Sequence, residues 1–312
     1  MTRAVGPRRR AIVRLLVAIP LCGMLVAGLL ATAWLALGRP TVASGAVWFQ
    51  LTKVGDSEYS GAPDQPFYML ILGNQARAGN EGALGDAIHV VGVNPAAHTA
   101  SMLNVPRDTG APDGDKINAY SALRGLPGIV EQLNKMMGIT IQYAMTTNFD
   151  GFISMIDEVG GIDINIPPMT EGDAQWNDPF SGATFEPGPQ HLTGDQALRL
   201  ARDRHDFDIT GDISRTGSQA NIILAALGTL RAQNPGDAGT LRLIAILARH
   251  IQTENLSVTD LFRLGRLALS FDPATVKSVT IPVGSGGILP LREPAASELF
   301  RDFADDGILQ TH

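Results

Sequence analysis

"TASMLNVPRD", residues 99–108, is the stretch on which the reading of the chain turns. Thr99 to Val105 is a short apolar run of the kind that forms a buried strand. Pro106 breaks it, and Arg107 and Asp108 follow at once. A charge pair at the mouth of a core strand makes physical sense in an open α/β sheet, where ligands gather at the carboxyl ends of strands.

Working outward, FYMLILG (67–73) and AIHVVGV (87–93) are further apolar runs bounded by turn residues. QYAMTT (142–147), Ile162 to Ile166 and Val276 to Ile281 also read as strands. Helical stretches lie between them. Pro127 stands near the start of one and Gly138 just past its end, at Met137. Phe149 to Val159 is stopped by Gly160 and Gly161, and Thr193 to Gln196 fits a capping box that opens a short helix. Longer helices are expected from about Asp212 to Arg231, over 239–252 and over 257–269. The alternation predicts an α/β fold, a layered α-β-α sandwich with a mixed central sheet. Residues 167–190, rich in Pro, Gly and Asp, read as a lid or a surface loop.

The 312 residues are 45% hydrophobic, with Gly and Pro dispersed, a globular rather than a disordered composition. Leu15 to Leu37 is 23 residues without a charge, long enough to cross a bilayer as one transmembrane helix. Arg3, Arg8, Arg9, Arg10 and Arg14 precede it, the positive flank expected on the cytoplasmic side. The expected organisation is a basic cytoplasmic tail (1–14), the transmembrane helix (15–37), a stalk or linker (38–65) and an extracytoplasmic domain (66–312). The competing reading is a cleaved signal peptide, whose apolar core runs to only about 15 residues. A weak small-residue site at Ala43-Ser44-Gly45 is all that speaks for it. The one cysteine, Cys22, falls inside the span, so the domain has no disulfide and rests on its core. Without the five leading arginines, 19 basic residues face 31 acidic ones. That balance argues against nucleic acid, which needs a basic face.

Three charged clusters follow apolar elements. The first is Arg107-Asp108, with Asp115-Lys116-Ile117-Asn118 close behind. The second is Arg202-Asp203-Arg204-His205, where two-residue spacing in an extended segment aims both guanidinium groups to one side. The third is Asp212, Arg215 and Gln219 on one helical face, which runs on into Ile222, Ile223, Ala226 and Leu230. Four arginines grouped in an acidic domain point to an anionic ligand, because guanidinium forks match phosphate oxygens in pairs and always carry charge. The plainer reading makes each a surface ion pair worth little, and makes Asp212 a helix cap. Three clusters, each at the end of an element, favour a site. His191 and His205 lack metal-ligand spacing and read as structural. Asp206-Phe207-Asp208 faintly suggests a calcium loop, but Gly217 stands where its closing glutamate belongs.

In order and at fitting distances, FYMLILG, Asp86-Ala87-Ile88, VPRD, DKINA, GPQHLTGDQAL, ARDRH and GDISRTGSQ resemble the LytR–CpsA–Psr family over roughly residues 66–232. The resemblance implies a phosphotransferase anchored in the cell membrane, with its main domain outside. Such a protein moves a glycopolymer from a polyprenyl-pyrophosphate carrier onto a peptidoglycan sugar hydroxyl. Mg²⁺ sits at the pyrophosphate and the lipid tail lies in a hydrophobic tunnel. Carried over residue by residue, the resemblance gives the pyrophosphate to Arg107, Arg202, Arg204 and Arg215, with Arg77, Lys116, Asn118, Asp212 and Gln219 beside them. Asp86 takes the metal. Arg107, Asp108, Arg202 and Arg204 form the catalytic group, with Asp108 orienting Arg107. The implied partners are the lipid-linked glycopolymer, peptidoglycan and the lipid bilayer, and no nucleic acid.

Some positions depart from the pattern. Where the family has Gly-Ser-Asp-Ser-Arg, the chain has Gly73-Asn74-Gln75-Ala76-Arg77, an amide in place of a carboxylate. Leu84 replaces an arginine, and Ala87 a threonine. The phosphate grip is kept while the metal side is thinned. That holds open a second function, binding polyprenyl phosphates without transfer. The family's older label of transcriptional attenuator is a third, opposed by the apolar span and the acidic domain.

Overall fold

TASMLNVPRD supplies a strand one in from the edge of a seven-stranded sheet. In the computed structural model the described residues are 49–54, 65–74, 84–166, 176–178, 182–203, 211–233, 236, 238, 241 and 251–310. In chain order they form β1 (Phe49–Lys53), β2 (Phe67–Asn74), β3 (Gly85–Asn94), β4 (Thr99–Asn104), α1 (Ile117–Met137), β5 (Ile141–Asn148), α2 (Phe149–Glu158) and β6 (Ile162–Ile166). Then follow β7 (Trp176–Asp178), β8 (Ala183–Phe185), β9 (Gly188–Leu192), α3 (Gly194–Arg202), α4 (Gly211–Gln233), β10 (Ile251–Glu254), α5 (Val258–Ser270), β11 (Lys277–Thr280) and α6 (Ala295–Asp306). The main sheet has the order β10-β1-β5-β2-β3-β4-β11. β1 is antiparallel to β5, β2 to β3 and β3 to β4, while β5 runs parallel to β2, β1 to β10 and β4 to β11. The sheet is mixed, as expected.

Strand alternation sorts its side chains onto two faces. Leu70, Leu72, Ile88, Val90 and Leu103 pack with Ile129, Leu133, Phe300 and Phe303 of α1 and α6 in the main core. The opposite face, with Met69, Ile71, Val91 and Met102, lines a cavity together with residues of α4 and α5. A second core joins α2, β6, β9, α3 and α4 through Ile156, Ile162, Leu192, Leu200 and Ile222.

Local signals explain most of the ends. α1 is longer than the helix foreseen around Pro127. Its first segment starts at Ile117 and is kinked off at Gly125, which adopts φ +64°; Pro127 then stands near the start of the second. That segment ends where expected, on Gly138 in the left-handed region. α3 opens on the Thr193–Gln196 capping box. α5 has a matching box from Ser257 and Asp260.

Four features differ from the sequence reading. Phe49–Lys53, within residues read as a stalk, is a strand of the main sheet with Phe49 and Leu51 buried. Residues 251 and 252, read as the end of a helix, pair with β1 as part of β10. α6 was not anticipated, although Leu299, Phe300 and Phe303 give it a buried face. The 167–190 excursion contains β7 and β8 and supplies β9, which pairs with β6. The tail, the apolar span and Cys22 lie outside the described residues. No helix among the described residues is long and apolar enough to cross a membrane.

The contact between β3 and the end of α6 is tight enough to test. A Cβ on Gly92 would stand 2.5 Å from the Gly307 carbonyl oxygen and 2.8 Å from the Phe303 ring. Backbone cannot yield as a flexible side chain can, so Gly92→Ala is expected to destabilise the fold by about 1–3 kcal/mol, as overpacking does. Chemical denaturation with an unchanged midpoint would show that α6 moves aside at no cost.

Candidate functional site

The VPRD turn is held rigidly. Val105 N–H bonds to the Ile88 carbonyl at 2.9 Å, the Thr109 hydroxyl to the Pro106 carbonyl at 2.7 Å, and Asn118 N–H to the Arg107 carbonyl at 3.2 Å. These bonds fix where the Arg107 side chain leaves the backbone. Its Nη1 donates to Asp86 Oδ1 at 2.7 Å, across from the start of β3. Asp108 does not orient Arg107, contrary to expectation. Its Oδ1 accepts from Lys116 Nζ at 2.9 Å. Arg107 and Asp108 are the two central residues of a turn closed by Thr109 N–H to the Pro106 carbonyl at 3.0 Å, and the two side chains take different partners.

Asp86, Arg107, Asp108, Arg202, Arg215 and Gln219 line one cavity of about 940 Å³, at the upper end for small-molecule sites. Lys116 and Asn118 do not line it. Lys116 serves Asp108, and Asn118 is buried as a support for the turn. Arg202, at the end of α3, stacks its guanidinium 5.2 Å from the Phe149 ring centre at the start of α2. Arg215 is 4% exposed on α4. A guanidinium keeps its charge even at that depth, so it sets a fixed cation in the wall. Gln219 Nε2 donates to the Ala201 carbonyl at 3.0 Å, which ties α4 to the residue before Arg202. Its Oε1 is buried without a hydrogen-bond partner. Arg77, Arg204, His205 and the Asp212 side chain lie outside the described residues.

Below the arginines the walls turn apolar. Phe67, Met69, Ile71, Val91, Val93 and Met102 form the sheet side, and Ile222, Ile223, Ala226 and Leu230 of α4 face them, the row read from the sequence. The cavity is therefore amphipathic end to end, charged at the ends of β3 and β4 and hydrocarbon-like beyond. It can take a ligand with an anionic head and a long apolar tail.

One lining residue was overlooked, His89. It is fully buried, and its Nδ1 lies 2.8 Å from Asn104 Oδ1, whose Nδ2 donates to Ser278 Oγ at 2.9 Å. Burial pushes the imidazole down to about 4, only partly offset by the Asn104 bond, so the ring is neutral. A histidine inside AIHVVGV, in step with Ala87 and Val91, was the available signal. His191 is structural, as read: its ring nitrogens face Asp163 Oδ1 at 2.7 Å and the Gly160 carbonyl at 2.8 Å. These two acceptors raise its pKa, Asp163 first.

A model of the LytR_cpsA_psr family matches residues 49–292. The chain is 30% identical over 226 residues to the polyisoprenyl-teichoic acid–peptidoglycan teichoic acid transferase TagV of Bacillus subtilis (strain 168), covering 70% of this chain and 56% of that protein. It is 32% identical over 168 residues to the transferase TagU of Bacillus mycoides (strain KBAB4), covering 52% of each. The chain thus spans about half the length of these relatives. Among solved structures, TagT (YwtF) of Bacillus subtilis with bound octaprenyl pyrophosphate lipid superposes with a TM-score of 0.61 at 20% identity, covering 86% of this chain and 98% of that one. At that identity the likeness is one of fold.

Proposed function

The chain belongs to the LytR_cpsA_psr family, and on that premise we propose that it is a membrane-anchored, extracytoplasmic phosphotransferase. It moves a glycopolymer from a polyprenyl-diphosphate carrier to a sugar hydroxyl of peptidoglycan. The observation that carries this reading is the amphipathic cavity, with Arg107, Arg202 and Arg215 at one end and hydrocarbon walls beyond. The acceptor hydroxyl oxygen attacks the sugar-side phosphorus while the bond from that phosphorus to the bridging oxygen breaks. The electron pair leaves with the lipid monophosphate, and the hydroxyl proton passes to that phosphate or to solvent. Negative charge is present on the phosphoryl oxygens throughout, and fixed guanidinium groups that meet it supply much of the rate in such reactions.

Asp86 holds Arg107. Mg²⁺ binds through one or two carboxylates plus substrate phosphates. Asp86, a cavity-lining carboxylate beside the phosphate-binding arginine, fits that demand. No group of three or more His, Cys, Asp or Glu able to hold a metal occurs among the described residues. The diphosphate would supply the other ligands, and the ion when bound neutralises phosphoryl charge. Calorimetry is therefore expected to show negligible Mg²⁺ binding alone and clear strengthening of octaprenyl pyrophosphate binding by Mg²⁺. Asp86→Ala should abolish the strengthening, and Gln75→Asp should increase it. An Mg²⁺ effect absent from both wild type and Gln75→Asp would remove the metal from the mechanism.

The amide at Gln75 favours a second reading, a protein that holds polyprenyl phosphates without transfer. Mass spectrometry of lipid retained by the detergent-purified chain, followed by an assay for metal-dependent release of polyprenyl monophosphate, tests both. Retained lipid with no release would establish the binding protein; no retained lipid would sink both.

A further inference from the structure

The cavity wall contains a buried histidine that the phosphate grip does not use. His89 faces inward from β3 between Ala87 and Val91, beside Ile71 of β2 and Asn104 of β4. It stands one inward-facing step, about 7 Å along the strand, below Ala87. It therefore marks the level where the charged end of the cavity gives way to hydrocarbon. Its Nδ1 is bonded to Asn104 along the sheet, which leaves Nε2, the ring nitrogen farther from the backbone, as the polar atom His89 brings to the cavity it lines. Nε2 is buried and has no hydrogen-bond partner. A buried polar atom left unsatisfied costs about 1–3 kcal/mol, so a partner supplied by a ligand would recover a real penalty.

The His89–Asn104–Ser278 chain lets this atom change character. With Asn104 Oδ1 toward the ring, the imidazole proton sits on Nδ1 and Nε2 is an acceptor. Turning the Asn104 amide over keeps both bonds, because the Ser278 hydroxyl donates as readily as it accepts. The ring proton then sits on Nε2, which becomes a donor, and no hydrogen bond is lost. Gln219 Oε1, the other orphaned atom in this wall, has no such freedom: a carbonyl oxygen only accepts.

We propose that His89 is a further ligand-binding residue: with the Asn104 amide turned over, its Nε2–H donates to a lipid-side phosphoryl oxygen of a polyprenyl diphosphate. The proposal rests on reading the cavity as a polyprenyl-diphosphate site. A diphosphate gripped at its outer end by Arg107, Arg202 and Arg215 directs its inner phosphoryl group toward the hydrocarbon end, which is the side His89 occupies. A neutral donor suits that place. It meets the phosphoryl oxygen without adding a charge that the apolar wall would have to bear once the carrier leaves.

The test uses the detergent-solubilised full chain and geranylgeranyl diphosphate. His89→Leu is expected to weaken binding about tenfold, the loss of one hydrogen bond to a charged group. His89→Gln, which keeps an N–H donor of similar reach, should recover most of it. Binding of squalene, which shares the isoprenoid tail and lacks phosphate, should be the same in all three and so certifies a folded cavity. Nitrogen-15 spectra of the imidazole should show the proton move from Nδ1 to Nε2 when the diphosphate is added. Equal affinity in wild type and His89→Leu, or a proton that stays on Nδ1 in the complex, overturns the proposal and leaves the phosphate reading standing. A wild type that does not bind geranylgeranyl diphosphate removes both.

Discussion

Arg107→Ala is expected to weaken polyprenyl-diphosphate binding roughly ten- to a hundredfold, from charge-assisted bonds of about 1.5–3 kcal/mol. The effect should exceed that of an exposed arginine because the turn that carries Arg107 is bonded at Val105, Pro106, Thr109 and the Arg107 carbonyl itself. The backbone position of Arg107 is thereby fixed, and its guanidinium is already held by Asp86. Removing the guanidinium also leaves Asp86, only 9% exposed, without this ion pair. Some loss of stability will accompany the loss of affinity, though less than the 3–5 kcal/mol typical of a fully buried pair. Arg107→Lys separates the two effects. It keeps a cation for Asp86 but lacks the planar fork, so stability should return while affinity stays low. Arg202→Ala makes a cleaner binding probe, since Arg202 sits exposed over Phe149 at a helix end. Titration with octaprenyl pyrophosphate checks all three variants. Unchanged affinity in Arg107→Ala and Arg202→Ala would reduce these arginines to ordinary ion pairs.

The same turn shows what a sequence can and cannot reveal. β2, β3 and β4 were legible because both faces of the sheet centre are covered, so their residues read as unbroken apolar runs. β1 and β10 were not. FQLTK alternates and follows a Gly- and Ser-bearing lead-in, and IQTE is mostly exposed at the sheet edge. α6 was missed because AASELFRDFADD is acidic, and its buried Leu299, Phe300 and Phe303 occupy one narrow stripe. The arginines could be named from spacing, but their partners could not. Arg107 meets Asp86, 21 residues earlier, because the β3–β4 register sets His89 against Asn104 and so brings the start of β3 beside the end of β4. Asp108 meets Lys116 because Lys116 bridges back to Gly110 at the start of α1. Register and loop closure are tertiary facts, and local spacing carries no record of them.

His89 should also make the protein sensitive to acid in a way that one substitution can isolate. Its imidazole is held at about 4, against an ordinary value near 6.5, because burial disfavours the charged form more than the Asn104 bond favours it. The folded chain therefore refuses a proton that the unfolded chain accepts. Above pH 6.5 neither form is protonated, and stability does not change with pH on account of this group. As pH falls from 6.5 toward 4 the unfolded state alone gains the proton, and stability falls by up to about 3 kcal/mol. Below about 4 the folded form takes up the proton too, and the loss levels off. Carboxylates elsewhere also titrate in acid, so the wild-type curve alone cannot isolate this contribution. His89→Leu can. It lacks the titrating group, while the Asp86–Arg107 pair and the surface carboxylates remain in both proteins. The variant is expected to be less stable at pH 7, since Asn104 loses its imidazole partner in a buried place. Between pH 7 and pH 4, however, it should lose about 3 kcal/mol less than the wild type. Urea denaturation at a series of pH values measures the difference directly. Parallel curves for the two proteins would mean that His89 titrates alike in both states, with water reaching the ring and the wall of the cavity open at that level.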